Sequence, residues 1–167
     1  EEGIQRVEIT TEDIVINEGV KIEVAEKDSN SVEEPKGPTY RTIALFGLDS
    51  TIGELTKGTR SDTIMVASIN NETKEVRIMS VYRDTYLNLG NDSYGKANAA
   101  YAQGGPLQAI NMLNMNLDMN ITDYVTVGWA GVADTIDALG GIDIDVDEAE
   151  ISHLNNYQVE TSKSLGH

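Results

Sequence analysis

Between residues 41 and 82 the chain alternates β-branched, apolar runs with short polar breaks. Residues 41–49 (RTIALFGLD), 62–69 (DTIMVASI) and 76–82 (VRIMSVY) each have the length and composition of a strand. The polar run 70–74 predicts a turn joining the second and third strands into an antiparallel hairpin. The glycine-containing connection 50–59 predicts that the first strand also lies antiparallel to the second. In such a meander the end of one strand sits beside the start of the next. Asp49, Asp62 and the pair Arg83-Asp84 are therefore expected at one sheet edge, with Arg60 and Lys96 in reach. Arg77 is expected in the third strand near the turn, as an exposed charge.

The flanking pattern is less regular. Val7 and Ile9, Ile14 and Ile16, and Val20, Ile22 and Val24 alternate like short strands. Residues 27–38 are charged and hold one aliphatic side chain, Val32, which predicts a linker. The expected organisation is an N-terminal arm and linker over 1–39 and a main domain over 40–167. Gly90, Asn91, Asp92 and Gly95 predict a loop over 87–96. Residues 98–102 predict a short helix ended by Gly104-Gly105, and Pro106 opens a second helix with Leu107, Ile110, Leu113 and Leu117 on one face. A strand over 124–129 comes next, then a helix with Val132, Ile136 and Leu139 on one face, stopped by Gly140-Gly141. Residues 142–146 alternate apolar and acidic side chains, as in a strand. From 149 the pattern is weakly helical and breaks off at 164–167, as in a chain cut short. The sum is an α/β pattern of strands, the first three antiparallel, and helices.

Charge narrows the chemistry. The net charge of −16 opposes binding of nucleic acid. It is uneven: −7 over residues 1–39, zero over 40–106 and −9 over 107–167, with seven of the twelve basic residues in the middle segment. An acidic protein that gathers its cations around one rim is suited to an anion there. Each aspartate alone also suits a turn or a cap, but two carboxylates held together repel unless a cation or proton lies between them. With arginine beside them, they form the set that a divalent cation and a phosphate group require together. Asp143, Asp145 and Asp147 begin like a calcium loop, yet Glu148 stands where such a loop needs glycine and Leu154 where it needs glutamate. His153 and His167 have no partner pattern. The absence of cysteine excludes thiolate chemistry.

At these residues the sequence resembles the LytR-CpsA-Psr family of bacterial cell-envelope proteins. The likeness rests on Ala44-Leu45-Phe46-Gly47-Leu48-Asp49, Thr59-Arg60-Ser61-Asp62-Thr63, Val81-Tyr82-Arg83-Asp84-Thr85, Lys96-Ala97-Asn98-Ala99-Ala100-Tyr101 with Gly104-Gly105, and Asp137-Ala138-Leu139-Gly140-Gly141. It covers about residues 41–150. Ser50-Thr51 stand where the family often has an arginine, and Tyr82 where it often has proline.

The resemblance implies an α/β fold, with a mixed, largely antiparallel central sheet flanked by helices, and a phosphotransferase. It moves a glycopolymer phosphate, of teichoic acid or capsule type, from a polyprenyl-pyrophosphate carrier to a peptidoglycan hydroxyl. The implied metal is Mg2+ or Mn2+ on Asp49 and Asp62, and the implied phosphate ligands are Arg60, Arg83 and Lys96. Arg83 and Asp84 are the implied catalytic pair, with Asp84 as candidate base. The resemblance also implies action on the outer face of the cytoplasmic membrane, an upstream membrane helix, and further arginine motifs beyond His167. An apolar path for the isoprenoid is expected between sheet and helices near Leu107, Ile110, Val132 and Ile136, residues that equally suit a core. The rival expectation is a non-catalytic envelope module that binds polyprenyl phosphate or glycan.

Overall fold

A computed structural model of the chain describes residues 9–18, 20, 39–50, 55, 58–90 and 92–165. The expected 27–38 linker and the alternation at Val7, Ile22 and Val24 lie outside them.

Four strands form the main sheet: β1 (Tyr40–Leu48), β2 (Ser61–Asn70), β3 (Val76–Ser80) and β6 (Asp123–Val127), in the order β3-β2-β1-β6. β1 runs antiparallel to β2, β2 antiparallel to β3, and β6 parallel to β1. The β2–β3 turn is set by Asn70, whose Oδ1 accepts the Glu72 and Thr73 amides at 2.9 and 3.0 Å. Such a local side-chain bond is why asparagine favours turns.

Alternation along the strands sends Ala44, Phe46, Leu48, Ile64 and Val66 to one buried face. There they meet α1 (Asn98–Leu117), whose Tyr101, Ile110, Met112 and Leu113 are buried. As expected, α1 is two helical pieces: Gly104 and Gly105 depart from helical geometry, and Gly105 takes φ +69°, open to glycine and strained for other residues. Leu107 packs partly buried against the core.

Several expectations need correcting. Residues 87–96 are no loop but a hairpin, β4 (Tyr86–Gly90) and β5 (Ser93–Lys96), turning at left-handed Gly90 and Asp92. The glycine and aspartate that suggested a loop are its turn, while Leu89 anchors it in the core. Residues 142–146 form no strand: Ile142 and Ile144 are exposed, and no neighbouring strand pairs with them among the described residues. Alternation alone does not make a strand without an edge to pair with. α2 (Trp129–Ala138) buries none of its side chains, so Val132 and Ile136 are not core. Ile14 and Ile16 sit on irregular chain, and Ile14 is buried against α1, where Asn111 accepts the Val15 amide at 2.8 Å. α3 (Glu148–Leu165) begins with a reciprocal cap: Asp147 Oδ1 accepts the Glu150 amide and Glu150 Oε2 accepts the Asp147 amide.

Candidate functional site

The strand ends deliver the site. Gly47 faces Thr63 so closely that a Cβ on it would lie 2.9 Å from the Thr63 Cβ, and the register slips between Gly47 and Leu48. A bulge of this kind bends a strand and re-aims the residues past it, and the first of these beyond β1 is Asp49. On β2, Ser61 turns inward and is fully buried while Asp62 is exposed. β3 ends at Ser80, two residues short of the expected end at Tyr82, so Arg83 and Asp84 lie beyond the strand. They lie in a turn closed by the Thr85 amide on the Tyr82 carbonyl, 3.0 Å. That turn is fastened to α1, since the Asn98 amide donates to the Arg83 carbonyl at 3.0 Å.

One open cavity of about 610 Å³ is lined by Asp49, Gly58, Thr59, Arg60, Asp62, Arg83, Asp84, Lys96 and Asn98. All six residues singled out from the sequence as metal, phosphate or catalytic candidates therefore face one space. Arg83 Nη1 lies 2.8 Å from Asp62 Oδ1, and Lys96 Nζ 2.7 Å from Asp84 Oδ1. Among the described residues Arg60 makes no ion pair. A second groove of about 640 Å³, with Met65, Val81 and Tyr82 in its wall, shares Asp62, Arg83 and Asp84 with the first. Arg77 is remote from both, pairing with Glu75 at 2.9 Å.

Two features were not anticipated. Trp129 donates its indole Nε1–H to Asp49 Oδ1 at 3.0 Å, so this half-exposed ring meets the carboxylate with its edge. Nothing in the local pattern points from residue 129 to residue 49; only the parallel β1–β6 pairing brings them together. Asn98, nearly buried, also lines the cavity, and its position just after Lys96 was the available signal.

The ion pairs set the protonation of Asp84. Its hydrogen bond with Lys96, with the charges of Lys96, Arg83 and Arg60, holds its carboxyl below the usual carboxylate range, against a smaller opposing effect of burial. The folded pKa is depressed, so any stability from this link is present above the ordinary pKa and fades as pH falls through the folded one. Asp84 is thus ionised at neutral pH and a weak proton acceptor. In a carbon-detected NMR titration Asp84 should titrate below ordinary aspartate, and Lys96→Met should move it back up. An unmoved midpoint in the variant would remove Lys96 as the cause.

A divalent cation fits this chemistry in a limited way. Asp49 and Asp62 each keep one carboxylate oxygen outside those contacts, and the described residues hold no cluster of three or more metal-binding side chains. Mg2+ commonly takes one or two carboxylates and completes its shell with water and substrate phosphate.

The fold is an α/β domain whose sheet edge carries an acidic and cationic rim. The chain belongs to the LytR_cpsA_psr family, whose match covers residues 9–164. The polyisoprenyl-teichoic acid–peptidoglycan teichoic acid transferase TagV of Bacillus subtilis is 35% identical over 120 residues, 70% of this chain and 30% of that protein. The crystal structure of B. subtilis TagV matches with a TM-score of 0.57 at 34% identity, over 66% of this chain and 44% of that one. The family protein YwtF (TagT), solved with octaprenyl pyrophosphate lipid bound, shares the fold with a TM-score of 0.59 at 21% identity, over 78% of this chain and 52% of that one. The chain spans about a third of the length of the curated relatives it matches.

Because the chain has a single tryptophan, its emission can report on Asp49. Titrating Mg2+ should change that emission saturably, and Asp49→Asn should abolish the response. An equal saturable response in the variant would separate Asp49 from the cation.

Proposed function

We propose that this domain serves a phosphotransferase that moves a glycopolymer phosphate from a polyprenyl-pyrophosphate carrier to a peptidoglycan hydroxyl, at the outer face of the bacterial cytoplasmic membrane. The observation that carries this reading is the single cavity bringing Arg60, Arg83 and Lys96 together with Asp49 and Asp62. A relative at 35% identity bearing the name of such a transferase supports it.

A divalent cation, Mg2+ or Mn2+, would be held by Asp49 and Asp62 and, when bound, supplies charge that neutralises phosphate oxygens. The acceptor hydroxyl oxygen attacks the glycopolymer-side phosphorus, and the bond from that phosphorus to the bridging oxygen breaks, releasing polyprenyl phosphate. Arg60 and Arg83 offset charge on the transferred group, and Lys96 on the departing phosphate. Asp84, kept ionised, holds Lys96 in place. The proton of the acceptor hydroxyl passes to water as the new P–O bond forms.

The weakness of Asp84 as a base also favours the second reading, a module that binds polyprenyl phosphate or glycan without turnover. The full-length protein, incubated with lipid-pyrophosphate-linked glycopolymer, peptidoglycan and Mg2+, decides between them. Covalent polymer on peptidoglycan with release of polyprenyl phosphate is expected; binding of the donor with no transfer would establish the module instead.

A further inference from the structure

Tyr86 on β4 and Tyr94 on β5 stack with ring centroids 6.0 Å apart and planes inclined by 23°. They are 71% and 57% exposed. The register pairs Tyr86 with Lys96 and Asn88 with Tyr94, which puts all four side chains on one face of the hairpin. Leu89, on the other face, is buried in the core.

The tyrosines are not needed to hold this hairpin. It is fastened from its inner side and along its backbone: Asn116 bonds both the Asn88 amide and carbonyl, at 3.1 and 2.8 Å, and Gln108 donates to the Leu89 carbonyl at 3.0 Å. What remains is a pair of exposed aromatic rings, with their phenol hydroxyls, the Asn88 amide and the Lys96 ammonium on the same face. It adjoins the anion cavity through Lys96, which lines that cavity. Directly opposed residues of an antiparallel pair have Cβ atoms about 5 Å apart, so the aromatic surface begins one such step from a phosphate-seeking cation. A pyranose ring has the matching form, with C–H groups on its faces and hydroxyls around its rim. A sugar esterified to a phosphate lies within that step.

We infer that the Tyr86–Tyr94 stack is a saccharide platform, receiving the sugar ring next to the pyrophosphate of the lipid-linked donor. This rests on the proposed function, because the donor's pyrophosphate must occupy the cavity.

The test is calorimetric titration of the full-length protein in Mg2+ with two probes: a short-prenyl pyrophosphate bearing one N-acetylhexosamine, and the same prenyl pyrophosphate without sugar. The sugar should tighten binding about three- to tenfold, as one aromatic contact commonly does. Tyr86→Ala and Tyr94→Ala should lose that increment and keep the affinity for the sugar-free probe; the two phenylalanine variants should retain most of it. Wild-type protein that binds both probes equally overturns the platform and leaves the proposed function standing. Equal loss for both probes in the alanine variants assigns the tyrosines to the hairpin's integrity and also overturns it. Failure of wild-type protein to bind either probe overturns both readings.

Discussion

Arg83→Ala in the full-length protein should slow polymer transfer roughly 100-fold, about 3 kcal/mol of lost transition-state stabilisation, as is typical for removing one aligned donor from a developing oxyanion. The backbone around Arg83 should survive the change. Its carbonyl, not its side chain, accepts the Asn98 amide, and the Asp62 pair it leaves behind is solvent-accessible, where ion pairs contribute little to stability. Arg77→Ala is the control. It removes an equal charge whose only ion pair is with neighbouring, exposed Glu75 among the described residues, and should leave the rate within about twofold, since a distant charge acts only on encounter. Rates at saturating Mg2+, with folding checked by thermal melts, decide the matter. Comparable losses in the two variants would mean that the rim is not where transfer happens.

Asn114→Leu should weaken the fold severely. Asn114 is fully buried, and its side chain serves both backbone groups of Ile121: Oδ1 accepts the Ile121 amide at 2.8 Å and Nδ2 donates to the Ile121 carbonyl at 3.0 Å. Leucine keeps the volume and strands both groups away from water, at about 1–3 kcal/mol each. For a chain of this size that corresponds to a fall in Tm on the order of 10 °C. A loss under about 1 kcal/mol in denaturant unfolding would show that water reaches Ile121 in the variant.

How far the sequence led differs from element to element, for physical reasons. The β1–β2–β3 meander was legible because its strands are β-branched, apolar runs divided by polar breaks, so the convergence of Asp49, Asp62 and Arg83 came from connectivity alone. The kink in α1 was legible because Gly104, Gly105 and Pro106 are local signals. The β4–β5 hairpin was hidden because so short a ribbon is mostly turn, and its support comes from Asn116 and Gln108, distant in sequence. Residues 142–146 misled in the opposite direction, since their period of two had no edge to join. The cap of α3 is readable from Asp147 and Glu150, three apart ahead of a helical run, but the run of aspartates leading into it looks more like the start of a calcium loop. The Trp129–Asp49 bond was beyond reach: it depends on which strand β6 chooses as neighbour.

That choice also sets the order in which the domain assembles. β1, β2 and β3 close through connections short in sequence, whereas β6 joins β1 across a long crossover, bridged at its start by Arg41 and Asp123, 82 positions apart. Contacts between distant segments form late in folding, because the chain must be ordered before they are gained. The Asp62–Arg83 side of the rim should therefore take shape in an early nucleus, and Asp49 should meet its indole partner only when β6 docks. Substitutions in β6 such as Thr126→Ala, which removes the hydroxyl bonded to Tyr101 at 3.1 Å, should accelerate unfolding and leave the folding rate almost untouched. The meander is thus expected to act as the template, with β6 and the Trp129 that follows it the last to dock and the first to leave.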